Sequence, residues 1–167
     1  HWKVIGEPTE GALRTLARKA RFEPGDARRL AVIPFDSTRK LMATLHQVLG
    51  AGPRILVKGA PGPLLARCAA QRAADGSSEP LDTGFWEAQV EALGAEGLRV
   101  LAAAAGAAAD GKTDLTPADL DGGLVFLGLV GILDPPRPEA VAAIAAFQTA
   151  GIRVKMITGD HRGTAIA

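Results

Sequence analysis

A proline-rich element near the carboxyl end of the sequence separates two segments of different character. Asp134-Pro135-Pro136-Arg137-Pro138 follows a long apolar strand pattern at Leu124–Leu133, and its prolines prevent helix formation until the next segment begins. Pro138–Ala150 then has a helical pattern, and Arg153–Ile157 has an apolar strand pattern. A strand, a helix and a strand in this order predict a βαβ unit with two parallel strands.

The residues before this element predict a mixed, mainly antiparallel α+β domain. Leu30–Phe35 and Leu41–Val48 are strand-like runs on either side of a polar turn, which is the pattern of a β-hairpin. Glycines, prolines and polar turns separate the other predicted elements. The further strands are Trp2–Ile5, Arg54–Val57 and Leu98–Ala105, and the helices are Thr9–Ala20, Pro63–Ala74, Phe85–Leu93 with Thr83 as its cap, and a short one after Pro117.

Composition and charge exclude several classes of protein. A net charge of +1 gives no support for binding nucleic acid or an anionic membrane. No apolar run approaches the ~20 residues that a membrane-spanning helix needs. One cysteine, Cys68, cannot form an internal disulfide, and we interpret it as a small packed side chain in a protein of a reducing compartment. A length of 167 residues fits one domain, or one domain and part of another.

Three clusters of residues have the chemistry of a nucleotide site, although each has an ordinary structural explanation. Lys58-Gly59 puts a cation at a strand end where backbone can approach a ligand, but strand-end lysines are usually only solvated. Pro34–Met42 combines an aromatic ring, cations and a thioether, which suits an adenine base or a hydrophobic sheet edge. Arg99 stands among apolar residues, where it could bind phosphate or merely reach solvent.

A fourth cluster ends the chain. The apolar run up to Ile157 stops at Thr158-Gly159-Asp160, and small residues with helical potential follow. A carboxylate at the carboxyl end of a strand, beside a helix N-terminus, is typical of phosphate and magnesium chemistry in α/β folds.

Six segments together resemble the P-type cation-transporting ATPases, and most closely their calcium-pump-like subgroup. They stand in the order of that family and cover nearly the whole chain, which makes the combination specific although each segment alone is not. The segments are Gly6-Glu7-Pro8-Thr9-Glu10-Gly11-Ala12-Leu13, Pro34-Phe35-Asp36-Ser37, Lys58-Gly59-Ala60-Pro61, Leu98-Arg99, Asp134-Pro135-Pro136-Arg137 and Met156-Ile157-Thr158-Gly159-Asp160.

The resemblance implies a domain division and a set of site residues. Residues 1–124 would form the nucleotide-binding domain, 125–136 a connecting strand and hinge with Asp134 and Arg137, and 137–167 part of a haloacid-dehalogenase-like phosphorylation domain. Thr158, Gly159 and Asp160 would belong to the phosphoryl-transfer site, near the γ-phosphate and Mg²⁺ of the intact protein. The implied ATP-binding residues are Phe35 stacked on adenine, Glu10 near its amine, Lys58 and Gly59 deep in the pocket, Met42 and Leu101 along its walls, and Lys40 and Arg99 towards the ribose and phosphates.

Departures from the family pattern set the expected limits of this chain. Gly62 follows Lys-Gly-Ala-Pro where a Glu is usual, and His161 stands where an Asn is common. The family's Asp-Lys-Thr-Gly-Thr segment, which carries the phosphorylated aspartate, does not occur in the 167 residues. We therefore expect this chain to bind ATP without turning it over. Two alternatives stay open: a cap-bearing haloacid-dehalogenase-like phosphatase, which requires an Asp-x-Asp nucleophile motif, and a non-catalytic binding module.

The resemblance also implies the partners and location of the parent protein. These partners would be ATP and the remaining phosphorylation, actuator and membrane domains, with the nucleotide-binding domain at the cytosolic face of a membrane. The terminal strand lacks sheet neighbours, so we expect it to join the nucleotide domain, to pair with another copy or to be poorly ordered.

Overall fold

The structure is a computed structural model, and it describes residues 7–23, 25–48, 50, 52–133, 137–155 and 157. Its described part contains four α-helices, one short 3₁₀-helix and seven strands. In chain order they are α1 (Pro8–Lys19), β1 (Arg28–Asp36), β2 (Leu41–Val48), β3 (Gly52–Gly59), α2 (Pro61–Leu65), β4 (Cys68–Arg72), β5 (Ser78–Pro80), α3 (Thr83–Ala95), β6 (Arg99–Ala107), the 3₁₀-helix (Pro117–Leu120), β7 (Leu124–Ile132) and α4 (Pro138–Thr149).

The seven strands form one mixed sheet in the order β1-β2-β3-β6-β7-β4-β5. Every neighbouring pair is antiparallel except β4 and β7, which run parallel. The fold prediction of a mixed, mainly antiparallel sheet with flanking helices is therefore confirmed. The β1–β2 hairpin and the strands β3, β6 and β7 lie where the sequence pattern predicts them.

The hydrophobic core lies on one face of this sheet. A row of buried side chains crosses five adjacent strands in direct register. This row consists of Ile33, Ala43, Val57, Ala104 and Phe126, and alternate positions along each strand face away from it. The same core also includes Leu64 and Leu65 of α2 and Leu120 of the 3₁₀-helix.

Helix α3 is held on the core by Trp86 and by its amino-terminal cap. The Trp86 ring packs on Phe126 with centroids 4.9 Å apart, and the indole Nε1 donates to Gln71 Oε1 at 2.8 Å. The same Gln71 oxygen accepts from the backbone N of Asp82 at 2.9 Å. Asp82 Oδ1 accepts from Phe85 N at 2.9 Å, so the cap is Asp82, and the prediction of Thr83 is wrong by one residue.

The predicted helix Pro63–Ala74 is wrong over most of its length. Helix α2 ends at Leu65, and Cys68–Arg72 form strand β4, which pairs in parallel with β7. The parallel partner lies more than fifty residues along the chain, so no local pattern reveals it. Cys68 is half-buried in this strand; burial raises the pKa of its thiol to about 11, and Sγ donates to Leu64 O at 3.2 Å.

The predicted βαβ unit is formed only in part. Helix α4 is present, but residues 152–155 and 157 form no strand in the described part of the chain. The parallel neighbour of β7 is β4 instead. The predicted strand Trp2–Ile5, the hinge residue Asp134 and the Thr158-Gly159-Asp160 turn all lie outside the described residues.

Asp119 fixes the connection between β6 and β7, and we expect a pH-dependent contribution from it. Its Oδ2 accepts from the backbone N and from Oγ1 of Thr116, both at 2.8 Å, and its Oδ1 lies 3.0 Å from Lys112 Nζ. These contacts, the backbone hydrogen bond first, lower the pKa of Asp119 from 3.8 to about 2. A carboxyl group with a lowered folded-state pKa stabilises fully above its unfolded pKa and loses that contribution as the pH falls through the folded value.

Replacing Asp119 by Asn tests this directly. The difference in unfolding free energy between the native chain and Asp119→Asn should be constant above about pH 5 and should shrink below about pH 4, measured by urea unfolding. Asp114→Asn is the matched control, because Asp114 is 76% exposed and forms an ion pair with the same Lys112, at 3.4 Å. A pH-independent difference for Asp119→Asn would contradict this assignment.

Candidate functional site

A cavity of about 1050 Å³ lies at one end of the sheet, between α1 and α3. The antiparallel register places the end of β3 beside the start of β2, through Gly59 and Leu41. It also places the end of β3 beside the start of β6, through Gly59 and Ala102. Residues far apart in sequence therefore meet at this end of the sheet.

All eight residues that the sequence assigns to nucleotide binding line this one cavity. They come from α1, the end of β1, the β1–β2 turn, the start of β2, the end of β3 and the start of β6. They are Glu10, Phe35, Lys40, Met42, Lys58, Gly59, Arg99 and Leu101. Arg137, predicted as a hinge residue, lies at the N-cap of α4 and does not line the cavity.

Phe35 presents an exposed aromatic ring to the cavity. It is 64% exposed although it follows the buried Ile33 by two positions in the edge strand β1. The β1–β2 pairing shifts register between Ile33 and Asp36, and such a bulge redirects the side chains of the strand. Met42 and Leu101 are half-buried and add apolar surface. This is the composition that a flat heteroaromatic ring requires.

The turn after Phe35 holds Lys40 at the cavity. Asp36 Oδ1 accepts from the backbone N of Thr38 at 3.0 Å and of Arg39 at 2.9 Å. These hydrogen bonds, that of Arg39 first, lower the pKa of Asp36. Lys40 itself has a φ of 56°, which is uncommon for a residue other than glycine. The ionised Asp36 thus stabilises the turn that brings Lys40 to the site.

Gly59 lines the cavity where β2 and β3 approach each other closely. A Cβ atom at this position would lie 2.7 Å from Leu41 Cα, well inside the distance that carbon atoms tolerate. The backbone N of Ala60, the next residue, donates to Lys40 O at 2.9 Å. The close approach of β2 and β3 at the site therefore requires a glycine here.

Lys58 and Glu10 form an ion pair inside the cavity. The Lys58 side chain is 25% exposed and that of Glu10 is 59% exposed, so the pair remains in contact with water and adds little stability. It joins α1 to β3 at the cavity. A ligand that takes a hydrogen bond from Lys58 therefore also meets the Glu10 carboxylate.

Carboxylates and cations are nearly balanced around the cavity. The cationic side chains are Lys40, Lys58 and Arg99, and the carboxylates are Glu7, Glu10, Glu87 and Glu91. Since Lys58 pairs with Glu10, the ionic groups that lack an ion pair in the described residues are two cations and three carboxylates.

Comparison with known proteins identifies the family. The family model of the P-type ATPase cytoplasmic domain N matches residues 1–139. The chain belongs to the P-type cation ATPase family. Cation-transporting ATPase pma1 of Synechocystis is 47% identical over 99% of this chain and 19% of the relative. Calcium-transporting ATPase 1 of Lactococcus lactis is 41% identical over 99% of the chain and 19% of the relative.

A third relative has a different ion in its name. The sodium/potassium exporting P-type ATPase cta3 of Schizosaccharomyces pombe is 39% identical over 99% of this chain and 16% of the relative. The chain thus spans less than a fifth of the length of these P-type ATPases. No helix in its described ranges is long and apolar enough to cross a membrane. Nor does any group of three or more His, Cys, Asp or Glu side chains in those ranges form a possible metal site.

Two carboxylates of this P-type ATPase domain were missed as site residues. Glu87 and Glu91 are predicted to lie on the solvent-facing side of the helix, and both are exposed. That side of the helix lines the cavity, as does Val90. Their spacing of four residues places them on one side of α3. That spacing was visible in the sequence, but the side of α3 that faces the cavity depends on Trp86 and Phe126.

The Asp-x-Asp pattern that the phosphatase alternative requires occurs once in the sequence, as Asp119-Leu120-Asp121. Asp119 forms the capping box of the 3₁₀-helix with Thr116, Leu120 is in the core, and Asp121 lies 3.4 Å from Arg67 Nε. None of the three residues lines the cavity. Their contacts are structural, so this motif gives no support to the phosphatase alternative.

Proposed function

We propose that this chain binds ATP in the cavity between α1 and α3, as the nucleotide-binding part of a P-type cation pump. The observation that supports the proposal is that all eight residues implied by the family resemblance line one cavity of about 1050 Å³. A cavity of this size is in the range of small-molecule sites. The family match of the described domain is consistent with this role.

The chemistry of the lining suggests how ATP would lie. The exposed Phe35 ring, with Met42 and Leu101, offers an apolar slot for the adenine base. Glu10 can accept from the exocyclic amine of adenine, and Lys58 can donate to a ring nitrogen. Lys40 and Arg99 then remain for the ribose and the phosphates, where an Arg can form two parallel hydrogen bonds.

For the whole protein, we propose ATP hydrolysis through an aspartyl phosphate, coupled to transport of a cation across a membrane. The phosphorylated aspartate, the actuator domain and the membrane helices would come from the rest of the protein, with Asp134 and Arg137 at the hinge and Thr158, Gly159 and Asp160 at the transfer site. Mg²⁺ would neutralise phosphate charge there. The names of the relatives include both calcium transport and sodium/potassium export, so the transported species that we propose is a cation of unspecified identity.

Replacing Phe35 by alanine tests the placement of the base. We expect Phe35→Ala to weaken ATP binding by about 1–3 kcal/mol, because stacking of a base on an aromatic ring contributes on this scale. Titration of the chain with ATP, followed by NMR chemical shifts, measures the dissociation constant. Phe22→Ala is the matched control, since Phe22 is 63% exposed, close to the 64% of Phe35, and does not line the cavity.

The two variants separate the proposal from its alternatives. Equal ATP affinities of Phe35→Ala and the native chain would exclude Phe35 as the platform for the base. A native chain that binds no ATP at millimolar concentrations would instead favour a non-catalytic module that recognises another partner. Neither variant should alter stability greatly, because both rings are largely in solvent.

A further inference from the structure

Helix α3 contributes two negative charges to the proposed nucleotide cavity, and neither of them is in an ion pair in the described part of the chain. Glu87 and Glu91 line the cavity on either side of Val90. The two carboxylates are four residues apart on one helix, an arrangement of like charges that slightly destabilises a helix. Helix stability therefore does not explain their presence on this face.

The packing of α3 fixes the direction of both carboxylates. Trp86, the neighbour of Glu87, is held by the Phe126 ring and by Gln71 on the core side. Because α3 cannot rotate without breaking these contacts, positions 87 and 91 must face the cavity. Lys40 and Arg99 line the same cavity and also lack an ion pair among the described residues. With three cations and four carboxylates, the cavity lining has a slight net negative charge.

The distances involved are short enough for these charges to act on a bound polyphosphate. A volume of about 1050 Å³ corresponds to a width of roughly 10 Å, slightly more than the Debye length of about 8 Å at physiological ionic strength. Charges on opposite walls are therefore largely screened from each other, whereas a polyphosphate inside the cavity lies between the walls, within one Debye length of the carboxylates that line it. The interaction grows with the charge of the ligand, which is largest for free ATP and zero for adenosine.

We propose that Glu87 and Glu91 are specificity-determining residues that select ligands of the cavity by phosphate charge. They disfavour free polyphosphate, while the base slot binds the nucleoside independently of them. A nucleotide whose charge is reduced, by chelation of a divalent cation or by loss of phosphates, is disfavoured less. This inference rests on the proposed ATP-binding function and assigns to α3 a role that the family motifs do not include.

Charge-neutral variants test the inference without changing side-chain size. In excess EDTA, Glu87→Gln/Glu91→Gln should bind ATP about three- to tenfold more tightly than the native chain, measured by NMR titration. Its affinity for adenosine should stay within about twofold, because adenosine carries no charge. Each single variant should give an intermediate increase in ATP affinity. The difference in ATP affinity between the double variant and the native chain should become smaller at high salt.

Glu23→Gln is the matched control, because it removes the same charge from an exposed position beyond the far end of α1. It should change neither affinity by more than about twofold. Equal changes for ATP and adenosine, weaker ATP binding by the double variant, or an equal gain in Glu23→Gln would each overturn the inference. A native chain that binds neither ligand would instead overturn the proposed function, so the two failures are distinct.

Discussion

Replacing Phe126 by alanine should lower the free energy of unfolding by about 3–5 kcal/mol, the usual cost of removing a buried Phe side chain. Phe126 has 0% exposure and lies in register with Ala104 in the buried row of the sheet. Its ring also supports Trp86 at 4.9 Å. The substitution therefore leaves a cavity in the core and removes the surface on which α3 rests. Urea unfolding followed by tryptophan fluorescence measures the loss.

The effect of this substitution should reach the proposed site as well. Because α3 forms one wall of the cavity, loss of its support should weaken ATP binding beyond the fraction of unfolded protein. Phe22→Ala again provides the control, since an exposed ring contributes within about 0.5 kcal/mol. A loss below 1 kcal/mol in Phe126→Ala would mean that the ring is not packed as described. Phe126→Leu offers a milder variant if the alanine variant does not fold.

Gly59→Ala should destabilise the chain by about 1–3 kcal/mol, as expected for overpacking, although it adds a single methyl group. The added Cβ would lie 2.7 Å from both Cα and Cβ of Leu41, and Leu41 has 0% exposure. Backbone atoms of a paired strand cannot move aside as a flexible side chain can. Strands β2 and β3 must therefore separate at the end where Lys58 and Met42 meet the cavity, and ATP affinity should fall together with stability.

Gly62→Ala is a matched control for this effect. Gly62 lines the same cavity, but a Cβ at its position meets nothing within 4 Å. It lies in α2 directly before Pro63, whose ring disfavours helical backbone for a preceding residue that has a Cβ. We expect Gly62→Ala to destabilise the chain less than Gly59→Ala does, because the new Cβ meets no atom of a paired strand. Equal unfolding midpoints for the two alanine variants and the native chain would contradict the steric account of Gly59.

The parts of the fold that were predicted correctly depend on local patterns. Strands β1 and β2 alternate or are continuously apolar around a polar turn, and α1 has a helical spacing of leucines. The parts that were wrong depend on contacts distant in sequence. Strand β4 becomes a strand because β7 offers it a parallel edge. The alanine and leucine content of residues 63–74 favours a helix when that edge is unknown.

The candidate site also contains residues that the sequence reveals and residues that only the packing reveals. Five of its eight predicted residues stand in short motifs whose order is visible in the sequence, and the other three, Lys40, Met42 and Leu101, lie within five residues of such a motif. The sheet register brings all eight to one cavity. Glu87 and Glu91 belong to no such motif, and only the packing of Trp86 shows which way they face. Exposure alone does not distinguish a helix face in open solvent from one that faces a cavity.

The most direct test of the central claim is an NMR titration of the native chain with ATP. The account predicts that amide shifts move progressively around Phe35, Lys58 and Arg99, in one saturable process. It also predicts little change in the β4–β5 hairpin at Arg72 and Ser78, which lies at the far edge of the sheet. Unchanged shifts around Phe35, Lys58 and Arg99 up to millimolar ATP, or saturable shifts centred elsewhere, would contradict the assignment of this cavity as the nucleotide site.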